Sequence, residues 1–326
     1  MAKLTMVQGI NLALHQEMER DGDVLVMGED VGMDEGVFRV TAGLLAKYGS
    51  KRVIDTPLAE GAIIGTAIGM ALAGLRPVCE MQFSGFSYLM VAQLEGHASR
   101  YRQRTQDRWT CPLVVRMPYG AGVRALEHHS ESREHLYSTI PGVKVILPSG
   151  PRNARALLAA AIRDPDPVVF MEPKRSYRAF REEVPDEPET MEIGKSQLVE
   201  EGDDVTVVTW GAMMRPTLEG IELLRKSRGL KVDLIDLLTM TPMDSDTIVA
   251  SVKKTGRCVV VQEAPKSVSI SSEIVARIND EALMYLEAPV KRVTTWDTCT
   301  PYFGREMMYL PSPPRIAAAI EETLAF

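Results

Sequence analysis

The chain has 326 residues, a length that is typical of about two domains. Its hydrophobic fraction of 45% is too high for a mainly disordered chain. Its net charge of −7, with acidic and basic residues intermixed, argues against nucleic acid or an anionic membrane as the main partner. The longest apolar run, around residues 61–75, is shorter than the roughly 20 residues that cross a bilayer.

The first half of the chain alternates between short β-branched runs and longer helical patterns. A capping box formed by Thr5 and Gln8 predicts the start of the first helix. The patterns then predict strands at 24–30, 52–55, 77–82, 113–117, 143–147 and 167–171, and helices at 60–74, 87–104 and 151–163. Such alternation is typical of a parallel sheet covered by helices on both faces, which is an α/β domain.

A change of composition separates this block from a second one. The stretch "REEVPDEPETMEIGKSQLVEEGDD" is rich in proline and acid, and it predicts a linker at 182–200. Beyond it, Asp244 is a good N-cap and Gly256 a good helix stop. The patterns predict strands at 205–209, 231–236, 258–262 and 290–294, and helices at 214–227, 244–254, 269–279 and 313–325. We therefore expect two α/β domains, at 1–181 and 201–326.

The four cysteines indicate a reducing compartment. They show neither a CxxC motif nor a zinc-like spacing, and three of them lie in or beside apolar segments. No signal or transit sequence precedes the first predicted helix. We therefore expect a cytoplasmic protein with free thiols.

Glu60 is the single acid in the run "AEGAIIGTAIGMALAG", at the junction between a predicted strand and a predicted helix. A carboxylate in apolar surroundings is costly to bury unless another group compensates its charge. The helix dipole at the N-terminus is one explanation, and a bound group is another. Gly61, Gly65 and Gly69 follow at a spacing of four, which predicts a ridge of bare backbone where another helix approaches closely.

Several polar or aromatic side chains follow predicted strands, where ligands gather in open parallel sheets. They are Glu29, Glu60, Gln82 and Phe86, with His128 and His129 in a later loop. Familiar motifs are missing, since the chain has no GxGxxG after a strand, no P-loop, no GxSxG and no HExxH. Together the residues predict a cleft with an acid, an aromatic face and an imidazole.

A set of longer motifs carries a resemblance to a known family. "GEDVG", "VIDTPLAEGAIIGTAIGMALAGLRPV", "EMQFSGF", "EHHSES", "PGVKVILP", "AIRDPDPVVFMEP" and "LEAPVKRV" occur in this order. Over essentially its whole length the chain resembles the beta subunit of the thiamine-diphosphate-dependent, decarboxylating component of a 2-oxoacid dehydrogenase complex. The resemblance implies a transketolase-like pyrimidine-binding domain followed by a C-terminal α/β domain that serves assembly.

The resemblance also implies roles for the residues at the predicted cleft. Glu60 matches the acid that hydrogen-bonds a ring nitrogen of the cofactor's aminopyrimidine, and Phe86 matches the aromatic residue that packs on that ring. His129 matches the active-site histidine, placed for proton transfer or for contact with the acyl-bearing intermediate. Glu29 and Gln82 are expected to be cofactor neighbours, and His128 has no implied catalytic role.

A potassium ion is a further implication of the resemblance. Members of the family often bind a structural potassium ion, mainly through backbone carbonyls. The matching positions are Leu113, Ala161, Ile162, Asp164 and Asp166. Asp166 replaces the asparagine that is common among relatives, and a capped helix end would explain the acids equally well.

One absence points to a partner subunit. Enzymes of this type anchor the diphosphate through Mg²⁺ on a GDG motif followed by an asparagine, and this chain contains no GDG. Because two phosphates need a counter-ion, we expect a separate alpha subunit to carry that half of the site. By analogy we expect an α2β2 heterotetramer, with a lipoyl-bearing acyltransferase component as the further partner and Phe326 near its docking surface.

The sequence leaves the substrate open. Pyruvate and branched-chain 2-oxoacids are favoured jointly, and acetoin dehydrogenase beta subunits look alike. A non-catalytic assembly subunit would show an eroded cleft, whereas Glu60, Phe86 and His129 are all present. A stand-alone transketolase-like enzyme would need the diphosphate motif in the same chain.

Overall fold

The helices and strands of the computed structural model, which describes residues 1–326, follow the predicted alternation. The strands are β1 Ala2–Leu4, β2 Val24–Gly28, β3 Val53–Asp55, β4 Arg76–Glu80, β5 Val114–Tyr119, β6 Lys144–Ile146, β7 Val168–Pro173, β8 Glu182–Val184, β9 Gln197–Glu200, β10 Val205–Thr209, β11 Val232–Asp236, β12 Thr239–Thr241, β13 Cys258–Val261 and β14 Lys291–Val293. The helices are α1 Met6–Arg20, α2 Leu44–Tyr48, α3 Glu60–Leu72, α4 Tyr88–Gly96, α5 Tyr101–Arg104, α6 Glu134–Ser138, α7 Pro151–Arg163, α8 Met214–Arg228, α9 Ser245–Thr255, α10 Ile270–Ala282, α11 Glu306–Tyr309 and α12 Pro313–Leu324. None of these helices is both long enough and apolar enough to span a bilayer.

The predicted helix caps are confirmed. The Thr5 side chain accepts from the Gln8 N–H while the Gln8 side chain accepts from the Thr5 N–H, which completes the capping box of α1. Asp244 accepts from the Thr247 N–H at the start of α9, and Gly256 ends that helix with a left-handed backbone at φ +67°. Caps act within one helical turn, which explains why the local sequence predicts them.

The structure corrects one predicted helix and adds two strands to the predicted linker. The helix predicted at 87–104 breaks after Gly96 into a 3₁₀ turn and the short α5, because glycine has a low helix propensity. The predicted linker at 182–200 contains the strands β8 and β9. β8 pairs antiparallel with β1, and β9 pairs antiparallel with β11. Pairing with distant strands therefore orders a segment whose local sequence pattern predicts no strand.

Contacts divide the chain into two units. The first comprises Met1–Tyr119 and Leu136–Ile193, and the second comprises Gly120–His135 and Gly194–Phe326. Compared with the predicted domains at 1–181 and 201–326, the difference is the segment 120–135, which contains both candidate histidines and belongs to the second unit.

The first unit is built on a parallel sheet with the strand order β6-β7-β5-β4-β2-β3. Its strands β2, β5 and β7 are buried along their whole length, as expected for a sheet covered on both faces. Helix α1 packs against α7, and α3 packs against α4. A Cβ at Gly61 would lie only 3.0 Å from the Leu89 carbonyl oxygen, so the start of the glycine ridge allows α3 to approach the chain's own α4.

The second unit has a sheet of order β14-β13-β10-β11-β9, parallel except for the edge strand β9. Helix α8 packs against α12, and α9 packs against α10. A core of valine, isoleucine and leucine side chains from the sheet, α8 and α12 holds this unit together. Both units are therefore α/β, as predicted.

A buried ionic cluster lies inside the first sheet. Arg116 of β5 is 1% exposed, and its guanidinium donates to Glu80 Oε2 at 2.7 Å and to Glu172 Oε2 at 3.0 Å. Its Nε lies 2.7 Å from Glu172 Oε1, and the Tyr177 hydroxyl donates to Glu172 Oε2 at 2.5 Å. Burial raises the pKa of Glu172, and the charge of Arg116 opposes that rise. One cation on β5 thus compensates two buried carboxylates on the two strands that flank it, β4 and β7.

Candidate functional site

Glu60 is the first residue of α3, directly after the β3-to-α3 loop. Its side chain is 4% exposed, and its Oε2 has no hydrogen-bond partner. The N-terminus of α3 stabilises negative charge there, but it leaves this oxygen without a donor. A buried oxygen without a hydrogen bond is costly in free energy. Glu60 is therefore a candidate to form a hydrogen bond with a bound ligand.

Glu29 and Gln82 lie at the carboxyl ends of neighbouring strands in the same sheet. Glu29 follows β2 and is 7% exposed; burial raises its pKa, and the charges of Glu60 and Asp30 raise it further. Gln82 follows β4 and donates from Nε2 to Asp30 Oδ2 at 3.0 Å. Because the charge of Glu60 contributes to the raised pKa of Glu29, these two predicted residues lie within electrostatic range of each other.

A loop after β2 is held in place by Asp55, the last residue of β3. Its carboxylate accepts from the N–H of Gly32 at 2.6 Å and from the N–H of Met33 at 3.0 Å. This contact orders the loop that begins with Glu29. Asp55 was not predicted as a site-forming residue, although its position in "VIDTP", five residues before Glu60, is a usable signal.

Phe86 belongs to an aromatic cluster rather than standing alone. It ends the 3₁₀ turn Ser84–Phe86, and its ring meets Phe83 edge-on with centroids 5.9 Å apart. Phe83 in turn contacts Phe38, and the Lys174 ammonium lies 5.1 Å from the Phe83 ring centroid. Phe86 was predicted as a site residue but Phe83, which lies in the same motif "EMQFSGF", was not.

The close approach of α3 and α4 connects these features. The contact of Gly61 with the Leu89 carbonyl lies one residue from Glu60 and three residues from Phe86. The acid and the aromatic residue therefore lie at the same end of this helix pair. A buried carboxyl oxygen without a partner and a nearby aromatic side chain fit the ring nitrogen and the face of an aminopyrimidine.

The two histidines lie in the segment Gly120–His135 of the second unit. His128 is exposed and His129 is half-buried. The Ser130 hydroxyl that follows is buried without a hydrogen-bond partner, while the Ser130 carbonyl accepts from Thr300 Oγ1 at 3.5 Å. The second unit thus orders the backbone next to His129.

A buried acid that the sequence analysis missed lies in the same segment. Glu134 opens α6, is 1% exposed, and accepts from Gln262 Nε2 at 2.9 Å. Burial raises the pKa of Glu134 to about 7, although hydrogen bonds from Gln262 and Trp210 oppose the rise. Gln262 also accepts from the Ser271 N–H at the start of α10, so Glu134 is connected to the second unit's helical layer.

Glu134→Gln is expected to remove a pH dependence of stability. The folded-state pKa of Glu134 is about 7 and lies above its ordinary value of 4.5, so the folded chain binds the proton more tightly than the unfolded chain. The wild type should therefore lose about 3 kcal/mol, relative to the variant, as the pH rises from about 4.5 to 7.5. Denaturant unfolding at stepped pH measures this difference, with the exposed Glu281→Gln as control. Parallel pH profiles for wild type and Glu134→Gln would contradict the assignment.

Three of the five potassium positions implied by the resemblance contact basic side chains of the protein, and the other two accept hydrogen bonds from backbone N–H groups. Arg76 donates to the carbonyl oxygens of Ile162, at 2.9 Å, and Asp164, at 3.2 Å. The Asp164 carboxylate pairs with Lys144, and the Asp166 carboxylate pairs with Arg102. The carbonyls of Ala161 and Leu113 accept from backbone N–H groups. A potassium ion at this turn would have to share the oxygens of Ile162, Asp164 and Asp166 with three basic side chains.

Domain matches agree with this architecture. Residues 2–179 match the transketolase pyrimidine-binding domain, and residues 194–316 match the transketolase C-terminal domain. A solved split-gene transketolase, described as an inactive beta4 tetramer, superposes with a TM-score of 0.81 at 20% identity and covers 99% of both chains. The fold and the domain order define a transketolase-type α/β protein.

Proteins of higher sequence identity identify the family within this transketolase-type class. The chain is 48% identical over 322 residues to the pyruvate dehydrogenase E1 component subunit beta of Acholeplasma laidlawii, covering 99% of this chain and 98% of the relative. It is 47% identical over 326 residues to the subunit of the same name from Bacillus subtilis (strain 168), covering 100% of both. The chain therefore belongs to the family of beta subunits of the pyruvate dehydrogenase E1 component.

Proposed function

We propose that the chain acts with a separate alpha subunit, in an α2β2 assembly, to decarboxylate a 2-oxoacid and pass the acyl group to a lipoyl arm. Pyruvate is the first substrate candidate, because the relatives at 46–48% identity bear that name. The observation that carries the proposal is the buried, unpartnered Oε2 of Glu60 at the start of α3.

Thiamine diphosphate, when bound, supplies a thiazolium carbon that adds to the keto carbon and accepts the electron pair released with carbon dioxide. Glu60 would hold a proton between its Oε2 and a ring nitrogen of the aminopyrimidine. Phe86 would offer an apolar face to that ring, and Glu29 and Gln82 would border it. His129 would transfer a proton or contact the acyl-bearing group.

The charge around Glu60 supports this role. Glu29 is a second acid in electrostatic contact with Glu60, and no ion pair of Glu60 with a basic side chain occurs among residues 1–326. A carboxyl that has no basic partner keeps its hydrogen-bonding capacity for a ring nitrogen of a bound group. A purely structural acid at a buried helix start would instead be expected to accept a donor.

The remaining parts of the proposal follow from the sequence. Mg²⁺ and the diphosphate would be held by the alpha subunit, because this chain has no GDG motif. Potassium would compete with Arg76 for the carbonyl oxygens of Ile162 and Asp164. A cytoplasmic location is consistent with four free cysteines.

The isolated chain is expected to show negligible affinity for thiamine diphosphate with Mg²⁺. The physical reason is that most of the binding energy for a diphosphate comes from its counter-ion, which this chain has no motif to hold. Equilibrium dialysis with the isolated chain and with the co-expressed alpha–beta assembly measures the difference. Tight binding by the isolated chain would refute the half-site proposal.

The same assembly identifies the substrate. Pyruvate, branched-chain 2-oxoacids and acetoin are offered separately, with an artificial electron acceptor that reports the first half-reaction. Turnover of pyruvate above the other two supports the leading proposal. Turnover of acetoin alone would favour an acetoin dehydrogenase beta subunit instead, and no turnover of any of the three would favour an assembly role.

A further inference from the structure

The segment Gly120–His135, here called the histidine loop, begins directly after the last residue of β5 and contains His128 and His129. Its first residues make their hydrogen bonds with the second unit. The Ala121 N–H donates to Glu263 Oε1 at 2.6 Å, and the Ser132 hydroxyl donates to the same oxygen at 3.4 Å. One carboxylate oxygen therefore contacts both arms of the loop, on either side of the histidines.

A second carboxylate holds the next turn of the loop. Glu306 opens α11, and its Oε1 accepts from the N–H of Gly122 at 2.5 Å and from the N–H of Arg124 at 3.0 Å. Glu306 is 1% exposed and Glu263 is 5% exposed, so both carboxylates are withdrawn from water. Hydrogen bonds from backbone N–H groups to a carboxylate are about twice as strong as neutral ones, and more so where water is excluded.

The conformation of the loop requires such support. Arg124 and Leu126 have left-handed backbones, at φ +59° and +65°, which cost free energy in residues other than glycine. Gly120 has φ +89°, and a Cβ at this position would lie 2.7 Å from Glu263 Oε1. The Gly120 N–H also donates to the Glu131 carbonyl at 3.2 Å, which closes the base of the loop.

The surroundings agree with a fixed loop. Ala121 packs in a small buried cluster with Tyr309 and Leu310, beside α11. The far arm of the loop, with Glu131, Arg133 and His135, lines a cavity of about 510 Å³ within the second unit. A shift of the loop would therefore move the backbone that carries His129 and one wall of that cavity together.

We propose that Glu263 and Glu306 are positioning residues, whose carboxylates fix the histidine loop and thereby the place of His129. This inference rests on the proposed function for the role of His129. Neither glutamate is expected to contact substrate, so both act through the backbone of the loop.

The test compares two substitutions of Glu306 in the alpha–beta assembly. Glu306→Asp keeps the charge but withdraws the carboxylate by about one methylene group, so it should no longer reach both N–H groups. Glu306→Gln keeps an oxygen at the same reach and should retain most of the activity. We expect Glu306→Asp to lower kcat about 10- to 100-fold with a smaller change in KM, because misplacement of a catalytic group by about 1 Å can cost about 100-fold. The exposed Glu281→Asp is the matched control.

A double substitution separates positioning from general damage. In a His129→Ala background, Glu306→Asp should lower kcat by no more than about threefold, because its effect runs through His129. An equal loss in both backgrounds would overturn the inference, as would full activity of Glu306→Asp in the wild-type background.

Amide hydrogen exchange makes the inference testable apart from the reaction. Exchange at residues 120–135 should become faster in Glu306→Asp than in wild type and Glu281→Asp, with the rest of the second unit unchanged. If the wild-type assembly turns over no 2-oxoacid, the proposed function fails, while this comparison still decides whether Glu306 holds the loop. Unchanged exchange would overturn the inference.

Discussion

Glu60→Gln is expected to lower 2-oxoacid decarboxylation by the alpha–beta assembly about 100- to 10,000-fold, the usual range for loss of a group that transfers a proton. Glutamine has nearly the same shape as glutamate, but its amide cannot share a proton with a ring nitrogen. Since Glu60 is 4% exposed with an unpartnered oxygen, the neutral amide should be tolerated in the fold. The melting temperature and the subunit stoichiometry should therefore stay close to those of the wild type.

The experiment measures decarboxylation, assembly and thermal stability on the same preparations. Glu29→Gln is the informative comparison, since it neutralises the neighbouring buried acid while leaving Glu60 in place. We expect it to affect turnover much less than Glu60→Gln. Near-normal decarboxylation by an intact Glu60→Gln assembly would remove the central residue from the proposed mechanism.

Arg116→Met is expected to destabilise the first unit by about 3–5 kcal/mol, the cost of leaving buried charges without their partner. The substitution removes the single guanidinium that contacts both Glu80 and Glu172. Domains are stable by only about 5–15 kcal/mol, so this loss should lower the yield of folded protein and shift the unfolding midpoint markedly. Arg108→Met, at an exposed arginine, should change the midpoint little.

Neutralising Glu80 and Glu172 should restore most of the stability that Arg116→Met loses. In the triple variant Arg116→Met, Glu80→Gln, Glu172→Gln, no charge remains buried at the cluster, so its stability should lie much closer to wild type than that of Arg116→Met alone. The stability of Arg116→Met alone should also increase as the pH falls. Burial already raises the pKa of Glu172, and a raised folded-state pKa means that stability is lost as the pH rises. A triple variant as unstable as the single one would show that packing, not charge, decides the effect.

The sequence was sufficient for features that depend on a few neighbouring residues. The capping box of Thr5 and Gln8, the N-cap Asp244 and the stop at Gly256 were predicted because each acts within about one helical turn. The position of Glu60 at the first residue of α3 was likewise predicted from the change of pattern between a strand and a helix. These local signals, repeated along the chain, determined the α/β class of both units.

Features that join distant residues were decided by the tertiary structure. Arg116 lies 36 residues from Glu80 and 56 from Glu172, and Gly122 lies 184 residues from Glu306. No periodicity or cap spans such separations, because they are set by which strands and loops pack side by side. The same reason explains why β8 and β9 form within a predicted linker, and why the histidine loop belongs to the second unit. The sequence alone determined which side chains can bind a ligand or transfer a proton. The packing of distant segments decided which of these side chains are buried, paired and held in place.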